Sequence, residues 1–281
     1  EVQSHYDIGN DFYRLWLDSS LSYSCAYFTE EGQSLDQAQQ NKIRYTLSKL
    51  DLRPGLSLLD IGCGWGQLLA QAAREYGVAG LGITLSQEQL AECQAMARRE
   101  GLDGLLEFRL MDYRELAASG RQFDRVVSVG MLEHVGRENY GLYFENVDQI
   151  LKPGGLFLLH FISGRKEYPG DAWMKKYIFP GGMLPSLREI LHIAGERDYP
   201  LLDAESLRPH YALTLLAWRD NFESRLDEIR AMFDEKFIRM WRLYLTACAA
   251  SFQAGAIDLH QLLFSKGTPE AQPLTRARMR V

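Results

Sequence analysis

The stretch Leu58-Leu59-Asp60-Ile61-Gly62-Cys63-Gly64-Trp65-Gly66 decides the fold. A short apolar run, suited to a buried strand, ends in three glycines at alternate positions, and a helical stretch follows. Glycine permits the tight turn and lets the backbone approach a ligand without a Cβ clash. Because helix N-termini favour anions, a loop of this kind can hold a dinucleotide pyrophosphate. The spacing here is GxGxG rather than GxGxxG, and Asp60 stands just before the turn. A carboxylate at that place repels a pyrophosphate and suits a ligand carrying positive charge or amine hydrogens. S-adenosylmethionine (SAM), with an ammonium and a sulfonium, fits; a purely structural turn is the competing reading.

Around that loop the chain alternates helix and strand. Upstream, Ser34 with Gln37 forms a capping box before Ile43, Leu47 and Leu50 at helical spacing. Pro54-Gly55 breaks the chain, and Leu56–Ile61 reads as the first strand. Downstream, Ser86 with Gln89 repeats the capping box ahead of Leu90, Cys93 and Ala97. Leu105–Leu110 and Phe123–Val129 read as strands, and Asn139–Leu151 as an amphipathic helix. Pro153-Gly154-Gly155 then turns the chain into a buried strand over Leu156–Ile162. This alternation predicts right-handed βαβ units and a mostly parallel sheet covered on both faces. Residues 164–210 hold Pro and Gly punctuators, 212–254 are mostly helical, and Ile257–Phe264 is placed to return a strand to the sheet.

Composition narrows the classes. The 281 residues carry 31 Lys plus Arg against 37 Asp plus Glu, a net charge of −6, which argues against a dedicated nucleic-acid binder. No apolar run reaches the roughly 18 residues that span a bilayer. The four cysteines are far apart, without a CxxC pair, and read as reduced thiols of a cytosolic protein. The chain starts at Glu1 with no secretory signal, as expected of a processed product or a fragment.

The junction Gly82-Ile83-Thr84-Leu85-Ser86 carries no acidic residue to grip ribose hydroxyls, so Thr84 and Gln89 would supply neutral hydrogen bonds there. Gln89 serving only the helix cap is the alternative. After the third strand, Asp112-Tyr113-Arg114 lies where an adenine edge and face would be held.

Taken together, LLDIGCGWG, GITLSQEQ, SVGMLEHVG (128–136), LLHFIS (158–163), HYDIGNDFY (5–13) and YSCAYF (23–28) resemble the cyclopropane fatty acid synthase family, over about residues 5–265. The family includes the bacterial phospholipid enzymes and the mycobacterial mycolic acid cyclopropane synthases. The resemblance implies a class I SAM-methyltransferase fold: a Rossmann-like α/β architecture with a mostly parallel seven-stranded sheet, helices on both faces and helical lipid-covering insertions. It implies one catalytic domain over 1–281. Its expected parts are a helical lid (1–50), a cofactor-binding core (51–163), covering helices with the last strands (164–267) and a mobile tail (268–281). The smaller N-terminal domain of many bacterial members is not among these residues.

The resemblance further implies an enzyme that uses SAM and bicarbonate, without a metal, to turn a cis double bond of an unsaturated phospholipid acyl chain into a cyclopropane. SAM would be held by Tyr23, Ser24, Asp60, Gly62, Gly64, Gly66, Thr84, Leu85, Gln89, Asp112 and Tyr113. Bicarbonate, the base for ring closure, would be held by Cys25, Glu133, His160, Ile162 and Tyr211, with His134 a lesser candidate. Each has a plainer alternative: a buried thiol, a helix cap, a core histidine, a packed ring. Tyr6, Phe12, Tyr13, Tyr27 and Phe28 would shield a carbocation or cover the lipid tail. Trp173, Met174, Lys175, Lys176 and Tyr177 mix aromatic and basic character suited to reversible membrane contact. Location at the inner face of the membrane, and homodimerisation, complete the expectation. The rivals are a sister methyltransferase leaving a methyl or methylene branch, an enzyme acting on carrier-bound or mycolic chains, and a non-catalytic SAM- or lipid-binding module.

Overall fold

A computed structural model describes residues 9–269 and 272–279. Tyr6 and the first four residues of HYDIGNDFY lie outside them, as does Arg280. Seven strands form one sheet: β1 (Ser57–Ile61), β2 (Ala79–Thr84), β3 (Leu106–Leu110), β4 (Phe123–Val129), β5 (Leu151–Gly164), β6 (Leu201–Ser206) and β7 (Ile257–Ser265). Their order is β3-β2-β1-β4-β5-β7-β6. The first five are parallel, and β7 enters antiparallel between β5 and β6. The order reverses between β1 and β4, and the crevice at the carboxyl ends of these strands is where such sheets bind ligands.

Alternating side chains build the two faces. Leu59, Val126, Phe157 and Leu159 join one apolar cluster, while Leu58, Val127 and Leu158 join the other. That alternation explains why the strands read as continuous apolar runs: both faces are covered. The helices doing so include α2 (Leu35–Lys49), α3 (Gln67–Tyr76), α4 (Gln87–Arg99), α5 (Tyr140–Ile150) and α7 (Leu187–Gly195), whereas α1 (Asn10–Trp16) and α6 (Ala172–Tyr177) pack elsewhere. The Ser34–Gln37 capping box forms at the start of α2. At α4 only half of it does: Ser86 accepts from the Gln89 N–H, while the Gln89 side chain turns to Thr84.

Two expectations need correction. Pro153-Gly154-Gly155 does not end the chain's run before a new strand; β5 already begins at Leu151 and absorbs these residues as an irregularity opposite Phe123–Arg125. The region 164–210 also holds the edge strand β6, which alternation did not reveal.

A third apolar cluster lies under α1, α8 (Arg208–Ser224), α9 (Leu226–Met232) and α10 (Glu235–Gln253). Phe12, Trp16, Trp218 and Trp241 are fully buried there, their rings meeting edge-on or tilted. Where a mobile tail is expected, Arg276 pairs with Asp203 and the Arg278 guanidinium lies 2.7 Å from Asp51.

Candidate active site

A cavity of about 370 Å³ opens at the carboxyl ends of β1, β2 and β4. It gathers Tyr23, Ser24, Asp60, Gly62, Gly64, Thr84, Leu85, Gln89, Asp112 and Tyr113, ten of the eleven expected cofactor residues. Gly66 is not in its wall. A Cβ on Gly66 would come within 3.0 Å of Cys93 Sγ and the Phe108 ring, at φ +83°. This glycine lets the start of α3 pack closely. Gly64 differs: its Cβ would meet no protein atom within 4 Å, and the residue lines the cavity. A side chain at Gly64 would therefore enter open space at the cavity wall, in a left-handed backbone conformation that disfavours it. Lys42, Met131, His134 and Asn139 also line the cavity. His134 was a lesser candidate for the neighbouring pocket. Lys42 was missed because lysine on an amphipathic helix ordinarily marks the wet face.

The chemistry of this cavity fits a cationic ligand. Asp60 is 3% exposed, and burial pushes its carboxyl up to about 7 against the opposing pull of Lys42. Among the described residues no donor hydrogen-bonds that carboxylate. An ammonium or sulfonium facing it would satisfy a costly buried group. Thr84 Oγ1 donates to Gln89 Oε1 at 2.7 Å, so these two side chains form one neutral polar unit. The Asp112 carboxylate is held below its usual range by Arg114, which hydrogen-bonds both its oxygens.

Beyond the cavity wall lies a drier cluster. Glu133, in the turn after β4, accepts the Ile162 N–H at 2.7 Å through Oε1, while its Oε2 is buried with no hydrogen-bond partner. Burial pushes this carboxyl to about 7 as well. Cys25 is fully buried and Tyr211 on α8 half-buried: Tyr211 feels both Glu133 and Cys25, and desolvation raises the pKa of each. His160 stands two residues before Ile162 on β5, hence on the same face. Its Nδ1 faces the Gln261 amide nitrogen at 3.3 Å, and its buried Nε2 has no partner. With the amide donating to Nδ1, the ring proton sits on Nε2. Desolvation drives the His160 pKa to about 3, so the ring is neutral at physiological pH.

The structure thus joins Glu133 to Ile162 directly and brings Tyr211 and Cys25 into their neighbourhood. An unpartnered acceptor and an unpartnered N–H in a buried pocket are rare and expensive. A small anion with both acceptor oxygens and an acidic proton, such as bicarbonate, matches that donor set.

Aromatic residues roof both regions. Tyr23 OH meets Tyr244 OH at 2.8 Å, Phe179 stands between the His134 and Tyr244 rings, and Tyr211 stacks on Phe252. Phe12 and Tyr13 are fully buried in the helical cap, and Tyr27 stacks between Tyr45 and His210.

Comparison with known proteins places this geometry. The profile of the family described as mycolic acid cyclopropane synthetase matches residues 1–262. A "Probable fatty acid methyltransferase" of Pseudomonas putida is 46% identical over 271 residues, covering 94% of this chain and 68% of that protein. The cyclopropane-fatty-acyl-phospholipid synthase of Escherichia coli K12 is 44% identical over 275 residues, covering 98% of this chain and 70% of that protein. The crystal structure of mycolic acid cyclopropane synthase CmaA1 complexed with SAH and CTAB superposes with a TM-score of 0.88 at 34% identity, covering 94% and 97% of the two chains. Cyclopropane synthase MmaA2 of Mycobacterium tuberculosis gives 0.85 at 35% identity, covering 94% and 97%.

Proposed function

This chain belongs to the mycolic acid cyclopropane synthetase family, and from that premise we infer a SAM-dependent C-methyltransferase that converts a cis double bond of a phospholipid acyl chain into a cyclopropane. The observation that carries this reading is the presence of two unlike sets of buried polar groups. One presents an unpaired carboxylate, Asp60, to a cation; the other presents Glu133 Oε2 and His160 Nε2 to a small anion.

SAM supplies an electrophilic methyl when bound, and bicarbonate supplies a proton acceptor. Tyr23, Ser24, Gly62, Gly64, Thr84, Leu85, Gln89, Asp112 and Tyr113 would hold the former around Asp60. Glu133, His160, Tyr211, Cys25 and the Ile162 N–H would hold the latter. An isolated olefin is a very weak nucleophile that no base can activate by deprotonation. The protein's contribution is therefore to align it and exclude water. The buried aromatic roof serves both ends, and ring faces near the reacting carbons stabilise developing positive charge by about 1–2 kcal/mol each. Glu133 orients the anion through its free oxygen, and the neutral His160 offers its N–H without introducing a competing positive charge.

No helix among the described residues is long and apolar enough to cross a membrane. The acyl chain would then be drawn from the bilayer by reversible contact at its cytoplasmic face. Helix α6 suits that role: Lys176 lies over the half-exposed Tyr177 ring, and Trp173 packs beside it.

Mass spectrometry after incubation with labelled SAM and vesicles of cis-unsaturated phospholipid tests this reading. A gain of about 14 mass units with loss of the olefin is expected, one methylene being added. The same gain with the double bond retained would favour the branching methyltransferase, a reading the name of the Pseudomonas putida relative also accommodates. Unchanged lipid would overturn both.

A further inference from the structure

Among the described residues Lys42 is the one lysine in the wall of the cofactor cavity. It projects from α2 with 6% of its surface exposed, and its Nζ lies 3.1 Å from Ser24 Oγ, its hydrogen-bond partner among the described residues. A buried ammonium is costly, and it is surprising in a cavity that must receive a cation. The groups facing it explain the arrangement. Burial lowers the Lys42 pKa, and the acidic groups around it oppose that and favour the ammonium: Asp18 from the loop after α1, Cys25 from the following segment and Asp60 from β1; from β5, His160 feels Lys42 in turn. Asp18 has other partners: its carboxylate accepts the Ser20 N–H at 2.8 Å and the Ser22 N–H at 3.0 Å. Cys25 is a fully buried thiol. Asp60 has no hydrogen-bond donor of its own, which leaves Lys42 as the cation that favours its charged form.

We propose that Lys42 is a positioning residue for the cofactor: its buried ammonium keeps Asp60 ionised so that the cavity accepts a cationic ligand at neutral pH, and it fixes the Ser24 hydroxyl in the cavity wall. The inference rests on the SAM reading above. Two opposite effects are in play. Lys42 repels a cationic ligand directly, but without Lys42 the buried Asp60 takes up a proton and the attraction for that ligand vanishes. The proposal requires the attraction by Asp60 to outweigh this repulsion: the Asp60 carboxylate has no hydrogen-bond donor among the described residues, whereas the Lys42 ammonium is engaged by Ser24. Lys42 also disfavours protonation of His160, so one buried charge acts on both pockets.

Calorimetric titration with SAM between about pH 6 and 9 tests the proposal without any lipid. Lys42→Met should shift the fall in affinity upward by about one pH unit, which weakens binding about threefold at pH 7.5 and about tenfold well below pH 7. Lys42→Arg should restore both. In an Asp60→Asn background the sign should reverse, so that adding Lys42→Met leaves binding unchanged or tightens it. Lys42→Gln, smaller and able to hydrogen-bond Ser24, replaces the Met variant if that one does not fold. Ser24→Ala should lose affinity without moving the pH profile. A Lys42→Met or Lys42→Gln protein with the wild-type profile, or with a loss equal at every pH, overturns the inference and leaves the SAM reading standing. A wild-type chain with no affinity for SAM overturns the SAM reading itself, and this inference with it.

Discussion

Asp60 and Glu133 are both buried carboxyls pushed to about 7 by the same cause, yet their surroundings differ. Asp60 has a cation, Lys42, and no hydrogen-bond donor. Glu133 has a donor, the Ile162 N–H, and no lysine or arginine among the groups that move its pKa. Burial alone therefore does not assign a role. The partner does: a neighbouring ammonium favours the charged form that attracts a cation, whereas a single backbone donor leaves one oxygen free to engage an anion.

The contrast can be broken from either side. Gly64→Val should have the largest effect, a loss of SAM binding beyond about a thousandfold by calorimetry, because its side chain enters the cavity. Product formation would vanish with it. Normal binding by that variant would remove the cofactor loop from the account. Glu133→Gln should slow turnover about a hundredfold while SAM affinity stays within about threefold. Equal losses in both would contradict the separation of the two sites.

The same Glu133→Gln protein sharpens the comparison through stability. The folded-state pKa of Glu133 is raised above its unfolded value. Its contribution is therefore complete below the ordinary carboxylate range and is lost as pH rises through about 7. Without SAM, the variant should be more stable than wild type at pH 8, by up to about 3 kcal/mol in denaturant unfolding, with the gap closing toward pH 5. A gap that is constant across pH would mean that folding does not shift the Glu133 carboxyl at all, and would contradict its burial as an unpaired acid.

Gly66→Ala comes next, costing about 2 kcal/mol of folding stability through contact with Cys93 and Phe108 and a strained φ, with little change in SAM affinity. The smallest effect is the pH response of the wild type. Because Asp60 must be ionised to meet the cation, SAM should bind about tenfold more weakly at pH 6 than at pH 8, measured by calorimetry.

The two sites were unequally legible in the sequence, for a physical reason. The cofactor cavity is made by local chain: glycines 62 and 64, the Ser86 cap and Asp112 each act within a few residues of a strand end, where composition and spacing record the constraint. Strand β4 was readable to its end residues because both faces are covered and its apolar positions, Phe123, Val126, Val127 and Val129, outweigh the charged pair Asp124-Arg125 near its start. The edge strand β6, Leu-Leu-Asp-Ala-Glu-Ser, was not, since its stability comes from β7 and from the Asp203–Lys49 pair rather than from β propensity. The bulge in β5 was read as a turn because Pro-Gly-Gly has the same local preference in either setting. The second pocket is assembled from chain segments far apart, with Tyr211 arriving on α8 and Cys25 on the loop before α2. Types and spacing gave no derivation of it; family resemblance named its members. Lys42 escaped both routes, because an amphipathic helix gives no sign that a charged position faces inward.

The central proposal is that a cation site around Asp60 and an anion site around Glu133 serve one reaction. Its most direct test is turnover on cis-unsaturated phospholipid vesicles in carbonate-stripped buffer, with bicarbonate then added back at fixed SAM. The account predicts that cyclopropane formation rises and saturates with added bicarbonate in the wild type, while SAM affinity stays constant. Turnover that is equally fast without carbonate would contradict it.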